Sequence, residues 1–211
     1  MGGDLSSTRL LAAYRAGIFP WFDDRVPPLW WSPDPRTVIT AASLHVSRRL
    51  RRTMRVDRFE VTWDRAFDPV MRACAERRED GTWITADMRA AYGALHALGH
   101  AHSLEVWEGR ALVGGIYGVH VGGVFAGESM FHRVTDASKV ALVALGAFLF
   151  TAGIEVLDVQ LTTPHLLRMG AQEISRKAYL AQLAALRDRE VSLRWDDDPA
   201  RRRPAATFAA E

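Results

Sequence analysis

From Ala101 to Phe131 the chain runs in period two: "AHSLEVWE", then "ALVGGIYGVH", then "VFAGESMF", with breaks at Gly109 and at Gly122-Gly123. Alternating apolar and polar residues send successive side chains to opposite faces of a strand, and the glycines supply tight turns. Three antiparallel strands in a meander follow. No other stretch restricts the fold as much, because a helix cannot gather this pattern onto one face. Glu128 stands in the last of these strands, among small and apolar residues. A carboxylate in that setting needs a partner or a task.

The flanking segments supply helices. Leu5 to Ala16 reads as one, with Asp4 or Ser6 as its cap and Gly17 just beyond. Ser43–Arg55, Phe67–Arg77, Asp87–Leu98 and Arg176–Asp188 read as others. Asp136–Thr151 is a further helix, capped by Asp136 and closed by Gly153. Short strands are expected at "FEVTWD", "IEVLDVQL" and "VSLRW". A meander followed by strand, helix and strand is the order of the acetyltransferase-like (GNAT) fold. The expectation is therefore an α/β (α+β) protein with a mixed, mainly antiparallel sheet. A small N-terminal α/β domain over 1–62 would join a GNAT-like domain over 63–195. Residues 196–211 would form a flexible tail.

Between the first helix and the meander lies "GIFPWFDDRVPPLWWSPDPR", with five prolines and three tryptophans in twenty residues. Proline that dense forbids regular structure, and tryptophan that dense forbids disorder. An ordered, irregular segment pinned by aromatic anchors results. On "SLHVSRRLRRTMR", Arg48, Arg49, Arg51, Arg52 and Arg55 cover over half the circumference of a helix with no acidic residue among them. A solvated charged face is the ordinary explanation. Phosphates would relieve the mutual repulsion, so nucleic acid is the sharper one.

Other features exclude functions. One cysteine, Cys74, allows no internal disulfide and fits a reducing compartment. No run of eighteen apolar residues exists to span a membrane, and "LLAAYRAGIFPWF" contains Arg15 and lacks a signal-peptide cleavage site. A soluble cytoplasmic protein is expected. His96, His100 and His102 raise a metal question, but no acidic or cysteine ligand is spaced beside them, so no metal is expected.

Nine words occur in order along the chain: "GGDLS", "AYRAGIFPWF", "LWWSPDPR", "GTWIT", "AHSLEVW", "LVGGIYGV", "GESMF", "DASK" and "DVQ…H…MGA". Together they resemble the leucyl/phenylalanyl-tRNA–protein transferases of bacteria, from Gly2 to about Leu186. The resemblance implies transfer of leucine or phenylalanine, with methionine tolerated, from aminoacyl-tRNA to a protein beginning with Arg or Lys. The modified protein is then marked for N-degron proteolysis. It also implies an N-terminal α/β domain joined to a GNAT-like domain. A monomer without cofactor is expected.

The chemistry is undemanding. The donor ester is already activated and the attacking α-amine has a pKa near ~8, so positioning and proton management suffice without a covalent intermediate. Asp158 and Gln160 lie two apart on one strand and so share a face. The resemblance assigns them joint action: Asp158 polarises Gln160, whose amide oxygen orients the amine. Asp158 could instead take the proton. Glu128 is expected to face the same pocket and, with Asp158, to supply negative charge for the cationic first residue of the protein substrate. The resemblance further implies an aminoacyl pocket of Ile116, Phe125, Met130 and Leu157, and adenine stacking by Trp21 and Trp83. A CoA-dependent N-acetyltransferase on the same fold is the alternative. "HRVTDASK" lacks the glycines that would hold a pyrophosphate there.

Overall fold

The computed structural model describes residues 2–23, 25–76, 82–194 and 202–209. The N-terminal part holds α1 (Ser7–Arg15), β1 (Phe19–Pro20), β2 (Trp30–Trp31), β3 (Arg36–Ile39), α2 (Arg48–Arg55) and β4 (Glu60–Trp63). Next come α3 (Phe67–Ala75), α4 (Ala86–Ala97) and the meander β5 (Ala101–Glu108), β6 (Ala111–Val121) and β7 (Val124–His132). After them follow α5 (Ala137–Thr151), β8 (Val156–Gln160), α6 (Pro164–Arg168), β9 (Gln172–Ile174) and α7 (Arg176–Leu186). β10 (Arg203–Pro204) and a 3-10 turn (Ala205–Phe208) end the described chain.

Eight strands form one sheet in the order β10-β4-β5-β6-β7-β8-β3-β9. Every pairing is antiparallel except β7 with β8. The mixed, mainly antiparallel sheet is the one expected. The expected boundary at residue 62 falls inside β4, and β3 is inserted between β8 and β9, so the N-terminal segment contributes strands to the main sheet. β1 and β2 make a separate antiparallel pair.

The two sheet faces are covered differently. From Val140 to Phe150 α5 is apolar around its whole circumference, with Val140, Leu142, Val143 and Leu145 buried, as a helix enclosed by protein must be. It packs with Leu50 and Met54 of α2 and with Phe208 against Ile116, Phe125 and Leu157. Each fully buried leucine or phenylalanine here contributes about 2 kcal/mol by leaving water. The other face carries α1, α3 and α4 over the meander and α7 over β3 and β8. Among the described residues no helix is long and apolar enough to cross a membrane. Cys74 is buried and free.

Several local expectations are corrected. The basic helix starts at Arg48 rather than Ser43, with the Ser47 side chain accepting from Leu50 N. Residues 40–44 instead close a turn through Ser43 N to Thr40 O, and His45 N bonds Met169 O. Asp136 sits at the N-cap of α5 but its side chain caps nothing; it pairs with Lys139 Nζ at 2.6 Å. Ser6, not Asp4, is the N-cap residue of α1, and Asp4 Oδ1 accepts from Ser6 N. Val191–Arg194 forms no strand, although Val191 and Leu193 pack on the core. The tail does not fray over residues 202–209: β10 pairs with β4, and Ala205 and Phe208 are buried. Trp195 and Arg77 lie outside the described residues.

Candidate active site

Glu128 owes its position to an extra residue in β7. Tyr117 pairs with Ser129 and Gly118 with Gly127, so Glu128 is left over as a β-bulge. Gly118 makes room for the bulge, since a Cβ there would collide with Ala126 O and the Phe125 ring. The bulge turns Glu128 toward α4. Its Oε2 accepts from Tyr92 OH at 3.2 Å, and Tyr92 OH meets Tyr14 OH of α1. Its Oε1 accepts from Gln160 Nε2 at 3.1 Å. Burial pushes the Glu128 carboxyl up to about 7; the Tyr14 hydroxyl pulls it back and the Asp158 charge adds to the rise. Both tyrosines lie well above the ordinary phenol value, chiefly through burial and then the Glu128 charge.

Asp158 is enclosed rather than displayed. It is 0% exposed, and Arg36 at 1% exposure grips it with Nε to Oδ1 at 2.8 Å and Nη2 to Oδ2 at 2.6 Å. Tyr179 OH donates to Oδ2 at 2.8 Å and Gln160 N to Oδ1 at 3.0 Å. Arg36 also donates to Gly17 O and lies over the rings of Phe19 and Tyr179. The Asp158 charge keeps the guanidinium firmly protonated despite burial. Asp158 and Gln160 are joined at the end of β8 by the bond from Gln160 N to Asp158 Oδ1. The expectation that Asp158 faces the substrate beside Glu128 is corrected, because four donors, two of them from the buried Arg36, already occupy its two oxygens.

Gln160 ends β8 with φ +57, a left-handed backbone that side-chain-bearing residues seldom adopt. Beside a carboxylate its NH2 end must be the one facing Glu128. Its amide oxygen then takes no hydrogen bond from any described residue.

Glu128 and Gln160 open onto a cleft of about 210 Å³. Trp21 and Trp83 wall it, Val159 and Leu166 form an apolar floor, and Leu161 and Thr163 lie at its side. Trp21 is braced by Trp31, whose Nε1 donates to Trp21 O at 2.8 Å and whose ring lies 5.7 Å away. Of the expected aminoacyl pocket, none lines this cleft. Ile116, Phe125 and Leu157 are at most 2% exposed and pack under α5, with Met130 half-buried against them. Val159 and Leu166 belong to that same packed cluster, so the cleft floor is continuous with it. Pairing of β7 with β8 ends at Ala126 and Asp158. At Gly127, just past that end, an added Cβ would lie 3.6 Å from Leu157 Cδ1 and 3.8 Å from Ile116 Cδ1.

Arg48, Arg51, Arg52 and Arg55 line a separate surface groove of about 400 Å³, and Arg49 lies outside it. Among the described residues none of these five arginines makes an ion pair. Asp64, His96 and His102 are the described group whose ligand atoms lie within 4.8 Å of one another. Asp64 is the acidic neighbour that spacing did not reveal. Its Oδ2 already holds His102 Nδ1 at 2.6 Å and its Oδ1 takes Ser103 N, while His96 Nδ1 meets Ala101 O at 2.8 Å. These bonds tie the ends of β4 and α4 to the start of β5.

Arg36, Tyr14, Tyr92 and Tyr179 were not among the expected site residues. A buried Asp in "VLDVQ" was the available signal for Arg36, since it demands a cation from elsewhere in the chain.

A family model described as leucyl/phenylalanyl-tRNA protein transferase matches residues 38–184, and one for the N-terminal domain of the same proteins matches residues 3–34. The chain belongs to the leucyl/phenylalanyl-tRNA–protein transferase family. It is 57% identical over 187 residues to the leucyl/phenylalanyl-tRNA–protein transferase of Syntrophobacter fumaroxidans, covering 87% of this chain and 80% of that one. The transferase of Anaeromyxobacter sp. (strain K) is 54% identical over 199 residues, 92% of this chain and 85% of its own. That of Xylella fastidiosa is 52% identical over 189 residues, 88% and 78% of the two chains. Within this transferase family the CoA-dependent alternative is not favoured, and the turn into α5 at residues 133–136 carries no glycine.

Proposed function

We propose that this protein transfers leucine or phenylalanine from aminoacyl-tRNA to the N-terminal amine of proteins beginning with Arg or Lys. The amine nitrogen bonds to the ester carbonyl carbon, the bond to the ribose oxygen breaks, and the ribose hydroxyl leaves with a proton. The product carries a new N-terminal residue that directs it to proteolysis. One observation carries the reading: Glu128 and Gln160 meet in a single cleft, between two tryptophans and over an apolar floor. Each part matches one component of the two substrates.

Gln160 offers its open amide oxygen to an N–H of the incoming amine and so orients the nitrogen lone pair. Glu128 supplies the negative charge for the Arg or Lys side chain, since a half-buried carboxylate gains most from a cation brought to it. Trp21 and Trp83 stack the terminal adenine, a contribution of ~1–3 kcal/mol. The donor side chain enters where β7 and β8 part, beside Gly127, toward Ile116, Phe125, Met130 and Leu157. Met130 is unbranched and adapts to leucine, phenylalanine or methionine. One methylene changes binding by only ~1–3 kcal/mol, so methionine is accepted as a poorer donor. Arg48, Arg49, Arg51, Arg52 and Arg55 meet tRNA phosphates. The protein acts as a monomer. The reaction runs without cofactor in the cytoplasm, where aminoacyl-tRNA is available.

The test uses radiolabelled Leu-tRNA and a protein with an N-terminal arginine. Controls are an N-terminal alanine acceptor, acetyl-CoA as donor, and Gln160→Ala. Label on the arginine protein alone, much reduced but measurable in the variant, is expected. Acetylation without aminoacyl transfer would overturn the reading.

A further inference from the structure

Resting on the reaction proposed above, we propose that Arg36 is a positioning residue for it. With Tyr179, Arg36 fixes the Asp158 carboxylate, and Asp158 in turn holds the Gln160 backbone in the left-handed conformation that turns the carboxamide into the cleft.

The geometry gives Asp158 one outlet toward the site. Each of its oxygens accepts two hydrogen bonds: Arg36 Nε and Gln160 N on Oδ1, Arg36 Nη2 and Tyr179 OH on Oδ2. With both oxygens occupied and no exposure, it has neither the room nor the free lone pair to take a proton from an amine. The contact it makes with the site is the backbone N–H of Gln160, not the side chain. That bond spans two residues, the local pattern by which an Asp stabilises a turn. It acts at the unfavourable φ of +57 at Gln160 together with a backbone bond across that residue, Leu161 N to Val159 O at 2.7 Å, and with the Gln160 Nε2 bond to Glu128. β3 pairs with β8 through an irregularity between Thr37 and Val38, opposite Gln160 and Asp158, so the regular ladder does not impose this conformation either.

Arg36 is itself fixed from several sides. Its Nη1 donates to Gly17 O at 3.2 Å, and its guanidinium lies 5.0 Å from the Phe19 ring and 4.4 Å from the Tyr179 ring. Phe19 also lines the cleft. The clamp therefore joins the end of α1, the end of β8 and α7 around a planar fork that only arginine provides. Lysine would keep the charge but lose the two parallel bonds. The Asp158 carboxylate could then rotate and release Gln160 N.

Two measurements test this. The first is hydrogen exchange at the Gln160 amide, read by NMR, in the wild type and in Arg36→Lys. Protection lost in the variant while the β5–β6 amides stay protected is expected; unchanged protection overturns the clamp. The second is a double-mutant cycle on kcat, with Arg36→Lys and the milder Tyr179→Phe each placed in the wild type and in Gln160→Ala. In the wild type Arg36→Lys lowers kcat by about tenfold to a hundredfold, the cost of a misplaced group, with KM for aminoacyl-tRNA nearly unchanged. In Gln160→Ala it lowers kcat by less than about twofold, because the residue it acts through is gone. Equal losses in both backgrounds would mean that Arg36 only supports the fold, and would overturn the proposal. A wild type without transfer activity would remove the proposed reaction instead, and amide exchange alone would then decide the clamp.

Discussion

The most exacting prediction concerns pH and Glu128. Burial lifts this carboxyl from 4.5 to about 7. With that value about one-tenth of the molecules carry the charge at pH 6 and about nine-tenths at pH 8. If the carboxylate holds the cationic first residue of the acceptor, kcat/KM should rise about ninefold over that interval. The sign follows from which form binds. A raised pKa means the neutral form persists to higher pH, so the productive charge appears as pH rises through 7. The acceptor amine titrates near ~8 as well, and it contributes equally to wild type and Glu128→Gln. The ratio of the two enzymes cancels that contribution. Tyr14 and Tyr92 stay protonated throughout. The assay follows labelled leucine from Leu-tRNA to a peptide with an N-terminal arginine, with ester hydrolysis subtracted at each pH. The wild-type to Glu128→Gln ratio should climb about ninefold from pH 6 to pH 8 and then level off. A ratio near one at every pH would refute the role of the Glu128 charge, and a ratio already high and constant from pH 6 would refute the effect of its burial.

Glu105 is 0% exposed and held by neutral donors, Thr62 OH, Ser103 OH and Ala66 N, and burial raises it from 4.5 to about 7. The fold therefore favours its protonated form, and stability falls as pH rises from about 4.5 to about 7, by about 3 kcal/mol. Urea midpoints for Glu105→Gln should lose that part of the decline between pH 5 and pH 8, and curves parallel to wild type would contradict it. Gly118→Ala forces a Cβ onto Ala126 O and the Phe125 ring, and overpacking of this kind costs about 1–3 kcal/mol. A lowered Tm together with lost transfer is expected, since the bulge that aims Glu128 has to move; a wild-type Tm would argue against it. Replacing Arg51 and Arg52 by alanine should flatten the dependence of log K for tRNA on log salt by about one for each phosphate no longer neutralised. An unchanged slope in a filter-binding titration would remove that helix from the tRNA path.

Local pattern was enough for the parts of this protein whose cause is local. The meander of β5 to β7 follows from alternation and glycine breaks, and α5 from a long apolar run, because period and turn chemistry act between near neighbours. The ordered words of the family, from "GGDLS" to "MGA", carried the reaction class and pointed to Trp21, Trp83, Glu128 and Gln160, which the fold brings into one cleft.

Long-range packing decided the rest. Arg36 and Asp158 are 122 positions apart, and nothing near either one names the other. The bulge at Glu128 depends on register with β6, which a strand read alone does not contain. β3 enters between β8 and β9, and residues 202–209 return to β4, through pairings that only the closed sheet defines. The sequence placed Glu128 in a strand and Arg36 at the end of the proline- and tryptophan-rich segment. Burial then made one a carboxyl poised near neutrality and locked the other onto Asp158, because desolvation and ion pairing exist only once distant segments have met.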